Sequence, residues 1–241
     1  MANPDPAEAT LAERLARVRA GIAAAAASCG RDTREVTLIA ISKTHPAAAV
    51  TRLIELGATD VGENRVQEAE EKITAVGRDK VRWHLVGHLQ ANKARRAVKF
   101  FDVVHSLDSI DLARRLDRLC MEEDIERLAV LIQVDLGHEE TKSGVDETEL
   151  SGLVEALGPL RRLELIGLMT LPPFFDNAED SRPFFRRLRE LRDELGARRA
   201  FGEGKGELSM GMTHDFAVAI EEGATMVRIG AAIFGERTAR H

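Results

Sequence analysis

The chain is 241 residues long, 44% hydrophobic and 31% charged, and its 34 Lys and Arg against 40 Asp and Glu leave a net charge of −6. That length suits one α/β barrel whose core needs no disulfide or metal, and the acidic balance speaks against a general nucleic-acid footprint. No apolar stretch is long enough to span a bilayer, and the opening MANPDPAEAT has neither the basic nor the apolar region of a secretory signal, so the expected location is the cytoplasm.

Leu11, Leu15, Val18 and Ile22 recur at helical spacing and run into alanines 23–27 before Gly30, which predicts a helix within residues 1–30 packed on the rest of the chain. Cys29 and Cys120 lie far apart without ligand spacing and read as reduced, small apolar residues. Residues 36–41, VTLIAI, form an unbroken β-branched run, the pattern of a strand covered on both faces. Pro46, the stripe Val50, Leu53 and Ile54, and a left-handed Gly57 then mark a helix, which completes one βα unit.

Strand-like runs recur near Asp60 and over 82–86, 102–105, 130–136, 163–169, 207–210 and 226–229. Helical patterns fall between them at 66–76, 90–98, 109–121, 147–157, 179–195 and 213–222. No strand leads into the GxGxxG turn of a doubly wound sheet, and eight units of about 30 residues predict a (β/α)₈ barrel. The expected organisation is one domain over 1–241, with the N-terminal helix as an addition and the second strand as the weakest signal.

In such a barrel the chemistry lies where strands end, and phosphate is often held after the seventh and eighth strands. The first strand ends in Ser42-Lys43-Thr44-His45-Pro46, which sets Lys43 at the rim against apolar surface. Desolvation there favours the neutral amine, the form that attacks an aldehyde, although a lone lysine is ordinarily a solvated one. The last two strand ends carry Ser209, Gly211 and Thr213, then Arg228, Gly230 and Ala231. Glycine lets backbone approach a ligand, the hydroxyls donate, and two helix starts offer amides to an anion. Singly, Thr213 reads as an N-cap and Gly230 as a turn; their coincidence with a rim lysine predicts a phosphate cup.

Other features carry less. Gly202-Glu203-Gly204-Lys205-Gly206 lacks the ending and setting of a Walker A loop and reads as a surface loop. His84 and His88 straddle a strand end with no third ligand for zinc, and Asp135 with Glu139 reads as loop hydrogen bonding rather than an acid and base pair. Lys93, Arg95 and Arg96 read as a solvated helix face.

Taken in order, AISKTHP at 40–46, GENRVQEA at 62–69, WHLVGHLQANK at 83–93, TKSGVD at 141–146, GLMTLPP at 167–173, SMGMTHD at 209–215 and VRIGAAIFG at 227–235 resemble the pyridoxal phosphate homeostasis protein family. That family's barrel is similar to the N-terminal domain of alanine racemase. The resemblance implies pyridoxal 5′-phosphate as cofactor, held as a Schiff base on Lys43, with Asn64 and His84 lining its ring. It further implies Ser209, Gly211, Thr213, Gly230 and Ala231 around the phosphate and Arg228 facing the pyridine nitrogen. Two departures stand out: Ala231 occupies a position where the family often has Thr, and GEGKGE at 202–207 replaces much of an apolar strand.

An always-charged guanidinium at the pyridine nitrogen disfavours a protonated ring and weakens the electron sink that carbanion chemistry needs. The bland alternative for Arg228 is a barrel-interior ion pair. A racemase also needs a second base, a tyrosine in alanine racemase, and this chain contains none. The expected function is therefore binding, buffering and delivery of pyridoxal phosphate to pyridoxal phosphate-dependent apo-enzymes by a monomer, without strong turnover. A racemase or lyase using the same cofactor is the alternative, and a sugar-phosphate barrel enzyme with a Schiff-base lysine, which would show no chromophore, is a third.

Overall fold

The computed structural model describes residues 10–138 and 143–235. Among them, strands β1 (Thr37–Ile41), β2 (Asp60–Glu63), β3 (Arg82–Leu85), β4 (Val103–Leu107), β5 (Leu128–Gln133), β6 (Leu163–Met169), β7 (Glu207–Ser209) and β8 (Met226–Ile229) pair in parallel in chain order, and β8 closes onto β1. Between and after the strands run α2 (Ala47–Glu55), α3 (Val66–Val76), α4 (Ala94–Phe100), α5 (Ile110–Glu122), α6 (Leu150–Leu157), α7 (Arg182–Ala197), α8 (Phe216–Glu221) and α9 (Ala231–Phe234). The additional α1 (Leu11–Ser28) starts at a capping box between Thr10 and Glu13 and buries Leu15, Val18 and Ile22, the expected stripe. It packs on α8 and α9, where Arg14 Nε donates to the Ile233 carbonyl at 2.7 Å.

Strand alternation divides the apolar residues into two cores. Ile39, Ile41, Val86, Val103, Leu131, Met169 and Met226 fill the barrel interior, while residues such as Val50, Leu53, Trp83, Phe101 and Phe185 pack between sheet and helices. Each such side chain contributes about 1.5–3 kcal/mol on burial, so the barrel is held from both faces of its sheet. The interior layer is also where polar residues are interleaved with apolar ones: His84, His105, Ser209 and Arg228 are all buried there.

The boundaries differ from the expected ones where side chains compete with the backbone. β4 runs past His105 to Leu107, and β5 stops at Gln133, with Val134 forming an isolated bridge to Val145. Asp135 then accepts the N–H groups of Gly137 and His138 in a loop turn; Glu139, Thr141 and Lys142 lie outside the described residues. α8 begins at Phe216 rather than 213, because the Asp215 carboxylate takes the Met212 N–H at 2.7 Å and keeps 213–215 in a turn. Gly57 is left-handed, with φ +78°.

The basic cluster on α4 is spent on neighbouring helices: Arg95 pairs with Glu122 and Glu123, and Arg96 with Glu70 at 3.1 Å. The loop 202–206 leads into β7, so it lies at the end of the barrel opposite the strand carboxyl ends. Burial pushes the Cys120 thiol up to about 11, with the Asp117 charge adding to it. No helix among the described residues is long and apolar enough to cross a membrane.

Candidate functional site

Barrel closure makes β7, β8, β1 and β2 consecutive, so the segments after them share one arc of the rim. Lys43 follows β1, Asn64 follows β2, Gly211 follows β7, and Gly230 with Ala231 follows β8. The arc is tied together by contacts. A Cβ added at Gly230 would stand 3.3 Å from the Ile41 carbonyl oxygen, the Gly211 carbonyl accepts the Arg228 N–H at 3.0 Å, and the His45 ring stacks on Phe234 of α9 with centroids 4.7 Å apart. Gly211 has φ +89° and a Cβ there would come within 2.6 Å of Ala219, so both backbone dihedral and space require glycine.

The turn that carries Lys43 is held on both sides of it. Ser42 donates from Oγ to Glu63 Oε1 at 2.5 Å, and its carbonyl accepts from Lys72 Nζ at 2.6 Å. The Thr44 N–H donates to Glu68 Oε1 at 2.5 Å. Lys72 also donates to Glu63 at 2.6 Å and to Glu68 at 2.7 Å. Thr44 itself sits at φ +70°, a left-handed conformation that costs a β-branched residue on the order of 1–3 kcal/mol. Burial pushes the Glu63 carboxyl up despite its bonds to Lys72 and Ser42. Burial acts the same way on Glu68, but the hydrogen bonds from Lys72 and Thr44 outweigh it and hold that carboxyl below its usual range.

Beneath the rim, a chain of hydrogen bonds crosses the barrel interior. Arg228 Nη1 donates to Ser209 Oγ at 2.7 Å, while Nη2 donates to the Thr170 carbonyl at 2.9 Å. Ser209 Oγ meets His105 Nδ1 at 2.9 Å, His105 Nε2 meets His84 Nδ1 at 2.9 Å, and His84 Nε2 meets Asp60 Oδ1 at 2.9 Å. A carboxylate only accepts, so with both imidazoles neutral the Asp60 end fixes the direction of every bond up to Ser209, and Arg228, which only donates, leaves the Ser209 O–H available to His105 Nδ1. Ser209 gives its proton to His105, and both histidines are neutral with the proton on Nε2. Burial depresses both imidazoles, in keeping with that assignment. Burial also works to raise Asp60, but bonds from His84 and Thr59 hold it below the carboxylate range. Burial brings the Arg228 guanidinium down to about 10, still charged at neutral pH.

The nine residues singled out from sequence thus fall into two groups. Lys43, Asn64, Gly211, Thr213, Gly230 and Ala231 lie along the rim arc, and Thr213 is exposed. His84, Ser209 and Arg228 belong to the interior chain, where the Ser209 hydroxyl is taken by Arg228 and His105 and both His84 nitrogens by Asp60 and His105. Among the described residues Arg228 makes no ion pair: the Asp215 charge acts on it without contact, and its hydrogen bonds lead to the Thr170 carbonyl and through Ser209 toward Asp60. His88 pairs with Asp108 at 3.3 Å and shares no partner with His84.

Sequence reading missed Asp60, Glu63, Glu68, Lys72 and His105. Lys72 had a usable signal: it stands four residues after Glu68 on the face of α3 that buries Val66, Ala69 and Ile73, where a lysine needs a partner.

Residues 13–238 match the family model described as alanine racemase, N-terminal domain. The pyridoxal phosphate homeostasis protein of Aquifex aeolicus is 44% identical over 225 residues, 93% of this chain and 97% of that one. Its Escherichia coli counterpart is 40% identical over 230 residues, 94% of this chain and 97% of that one. Among solved structures, PipY of Synechococcus elongatus with pyridoxal phosphate bound superposes with a TM-score of 0.81 at 37% identity, covering 94% of this chain and 100% of PipY.

Proposed function

The chain belongs to the pyridoxal phosphate homeostasis protein family, and on that premise we propose that it binds pyridoxal 5′-phosphate through Lys43 and holds, buffers and releases it. The observation that carries the reading is the joined rim arc, in which the Lys43 turn rests on α9 and the Gly230 backbone rests on the end of β1. The residues fit that cofactor. A primary amine serves its aldehyde, and glycine at 211 and 230 lets the backbone pack closely against α8 and the end of β1, which shapes the rim where the phosphate would sit. Amides at the start of α9, which no helix bond consumes, serve its phosphate.

When bound, the cofactor supplies an aldehyde that takes amines reversibly and a conjugated ring that can draw electrons. The chain's own residues do the rest. Lys43 would hold the cofactor covalently, the backbone at 211 and 230–231 would hold the phosphate, Asn64 and the wall that includes His84 would bound the ring, and Arg228 would supply a positive charge. Ala231 contributes an amide without a hydroxyl. With a guanidinium there and no tyrosine in the chain, storage is favoured over turnover. We read the protein as one domain over residues 1–241, acting as a monomer in the cytoplasm and passing the cofactor to pyridoxal phosphate-dependent apo-enzymes.

Purified protein loaded with pyridoxal phosphate should gain a visible chromophore, and borohydride reduction followed by peptide mapping should place the label on Lys43. A label on Lys93 or Lys142 would sink the assignment.

A further inference from the structure

The polar groups that hold the Lys43 turn converge on one ammonium. Lys72 is 5% exposed, and its three protons meet three acceptors: the Ser42 carbonyl, Glu63 Oε1 and Glu68 Oε1. Those acceptors come from the end of β1, the end of β2 and the first turns of α3. The same two carboxylates hold the Ser42 hydroxyl and the Thr44 N–H, so the residues before and after Lys43 are each gripped by a side chain that Lys72 fixes.

Stability alone does not account for this arrangement. Three buried or half-buried charges stabilise less than apolar residues of the same volume would, and one oxygen, Glu63 Oε2, has no partner among the described residues. What the arrangement secures is a conformation, with Thr44 left-handed at φ +70°. Without the Glu68 acceptor, Thr44 would relax toward negative φ and the Lys43 side chain would leave the turn in another direction.

We propose that Glu63, Glu68 and Lys72 are positioning residues that aim the Lys43 amine at the aldehyde carbon of the cofactor. The inference rests on the proposed binding of pyridoxal phosphate through Lys43. In the step it serves, the neutral amine nitrogen bonds to the aldehyde carbon, and both amine hydrogens leave with the carbonyl oxygen as one water. Only that step depends on where the amine points. The phosphate is held from β7, β8 and α9 and the ring is bounded by Asn64 and the wall that includes His84, and none of the hydrogen bonds of Glu63, Glu68 and Lys72 described above goes to those groups.

Two ligands separate aiming from general damage: pyridoxal 5′-phosphate and pyridoxine 5′-phosphate, which has the same ring and phosphate but an alcohol in place of the aldehyde. In Lys72→Met and in Glu68→Gln, pyridoxal phosphate affinity should fall about tenfold or more, the scale of a lost charge-assisted hydrogen bond, while pyridoxine phosphate affinity changes less than about twofold. Glu70→Gln, also on α3 but paired outward with Arg96, should change neither. If Lys72→Met does not fold, Glu68→Gln, whose side chain is 27% exposed, carries the comparison. In cofactor-free protein, amide hydrogen exchange at Thr44 and His45 should rise in the variants while that of Ala69 in α3 stays put.

Equal losses for both ligands, or an unchanged pyridoxal phosphate affinity, would overturn the proposal. So would unaltered exchange at Thr44. A wild type that never labels Lys43 would remove the proposed function itself, and the aiming role with it, whatever the variants do.

Discussion

Two polar assemblies reach the same barrel rim by different routes. Along the interior, from Arg228 to Asp60, charge stands only at the ends and the three groups between are neutral, each passing one proton to the next acceptor. On the flank, around Lys72, three charged groups touch directly, and one of them, Glu68, keeps partial access to water. The interior cannot hold charge on its imidazoles because no water reaches them, whereas the flank can hold charges that neutralise one another at contact. A defect in the interior chain must therefore propagate along its length, since the direction of each bond is set by the next one toward Asp60, while a defect on the flank stays local to the turn.

The largest effect should come from reversing one end of the interior chain. Arg228→Glu sets a carboxylate against Ser209 and the Thr170 carbonyl with no donor feeding the chain, and it should cost about 3–5 kcal/mol in urea denaturation. Adding Asp60→Asn should return roughly 1–2 kcal/mol, because the new amide can donate to His84 and every bond in the chain can run backwards. Ser209 would then turn its proton to the introduced carboxylate. If the two substitutions simply add, the proton order assigned to the chain is wrong.

The fold was far more legible than this chain of hydrogen bonds. Continuous runs such as 36–41 and 163–169 announce strands from local pattern alone, and β2 was the weakest because Asp60-Val61-Gly62-Glu63 holds two carboxylates and a glycine in four residues. Both carboxylates turn out to be working parts, one in each assembly, so the strand is hard to read for the reason that it is used. Lys43 was legible from its place at a strand end. Sequence places Ser209 beside Gly211 and Thr213 because it shows neighbours along the chain, whereas the Ser209 hydroxyl meets His105, 104 residues away. Pairings across the barrel leave no periodic trace.

An intermediate effect should appear on acidification. His84 and His105 are held neutral, so the unfolded chain takes up protons near pH 6.5 that the folded chain refuses, and stability falls as pH drops below that value. Each histidine contributes a slope approaching about 1.4 kcal/mol per pH unit. Glu63 opposes them: its raised carboxyl protonates first in the folded state, so its contribution is present at low pH and is lost as pH rises. The two histidines together lose on the order of 1–2 kcal/mol between pH 6.5 and 5.5. His84→Gln, whose amide can accept from His105 and donate to Asp60, should keep the fold and make that slope shallower by about 1 kcal/mol per unit. An unchanged slope would mean that His84 is charged in the folded protein.

The smallest effect should lie on the flank, and its smallness is what distinguishes the two regions. Glu68→Gln removes one charge from a group that still sees solvent and leaves Lys72 with Glu63 and the Ser42 carbonyl, so what it loosens is the Thr44 turn and not the fold. Its cost in stability should be within about 1 kcal/mol, the range of a partly exposed ion pair. Combined with His84→Gln it should be additive to within about 0.5 kcal/mol, because the two side chains share no partner, whereas the substitutions at Arg228 and Asp60 should be strongly coupled. A coupling energy above about 1 kcal/mol between Glu68 and His84 would show that the assemblies act as one network through β2, where Asp60 and Glu63 stand three residues apart.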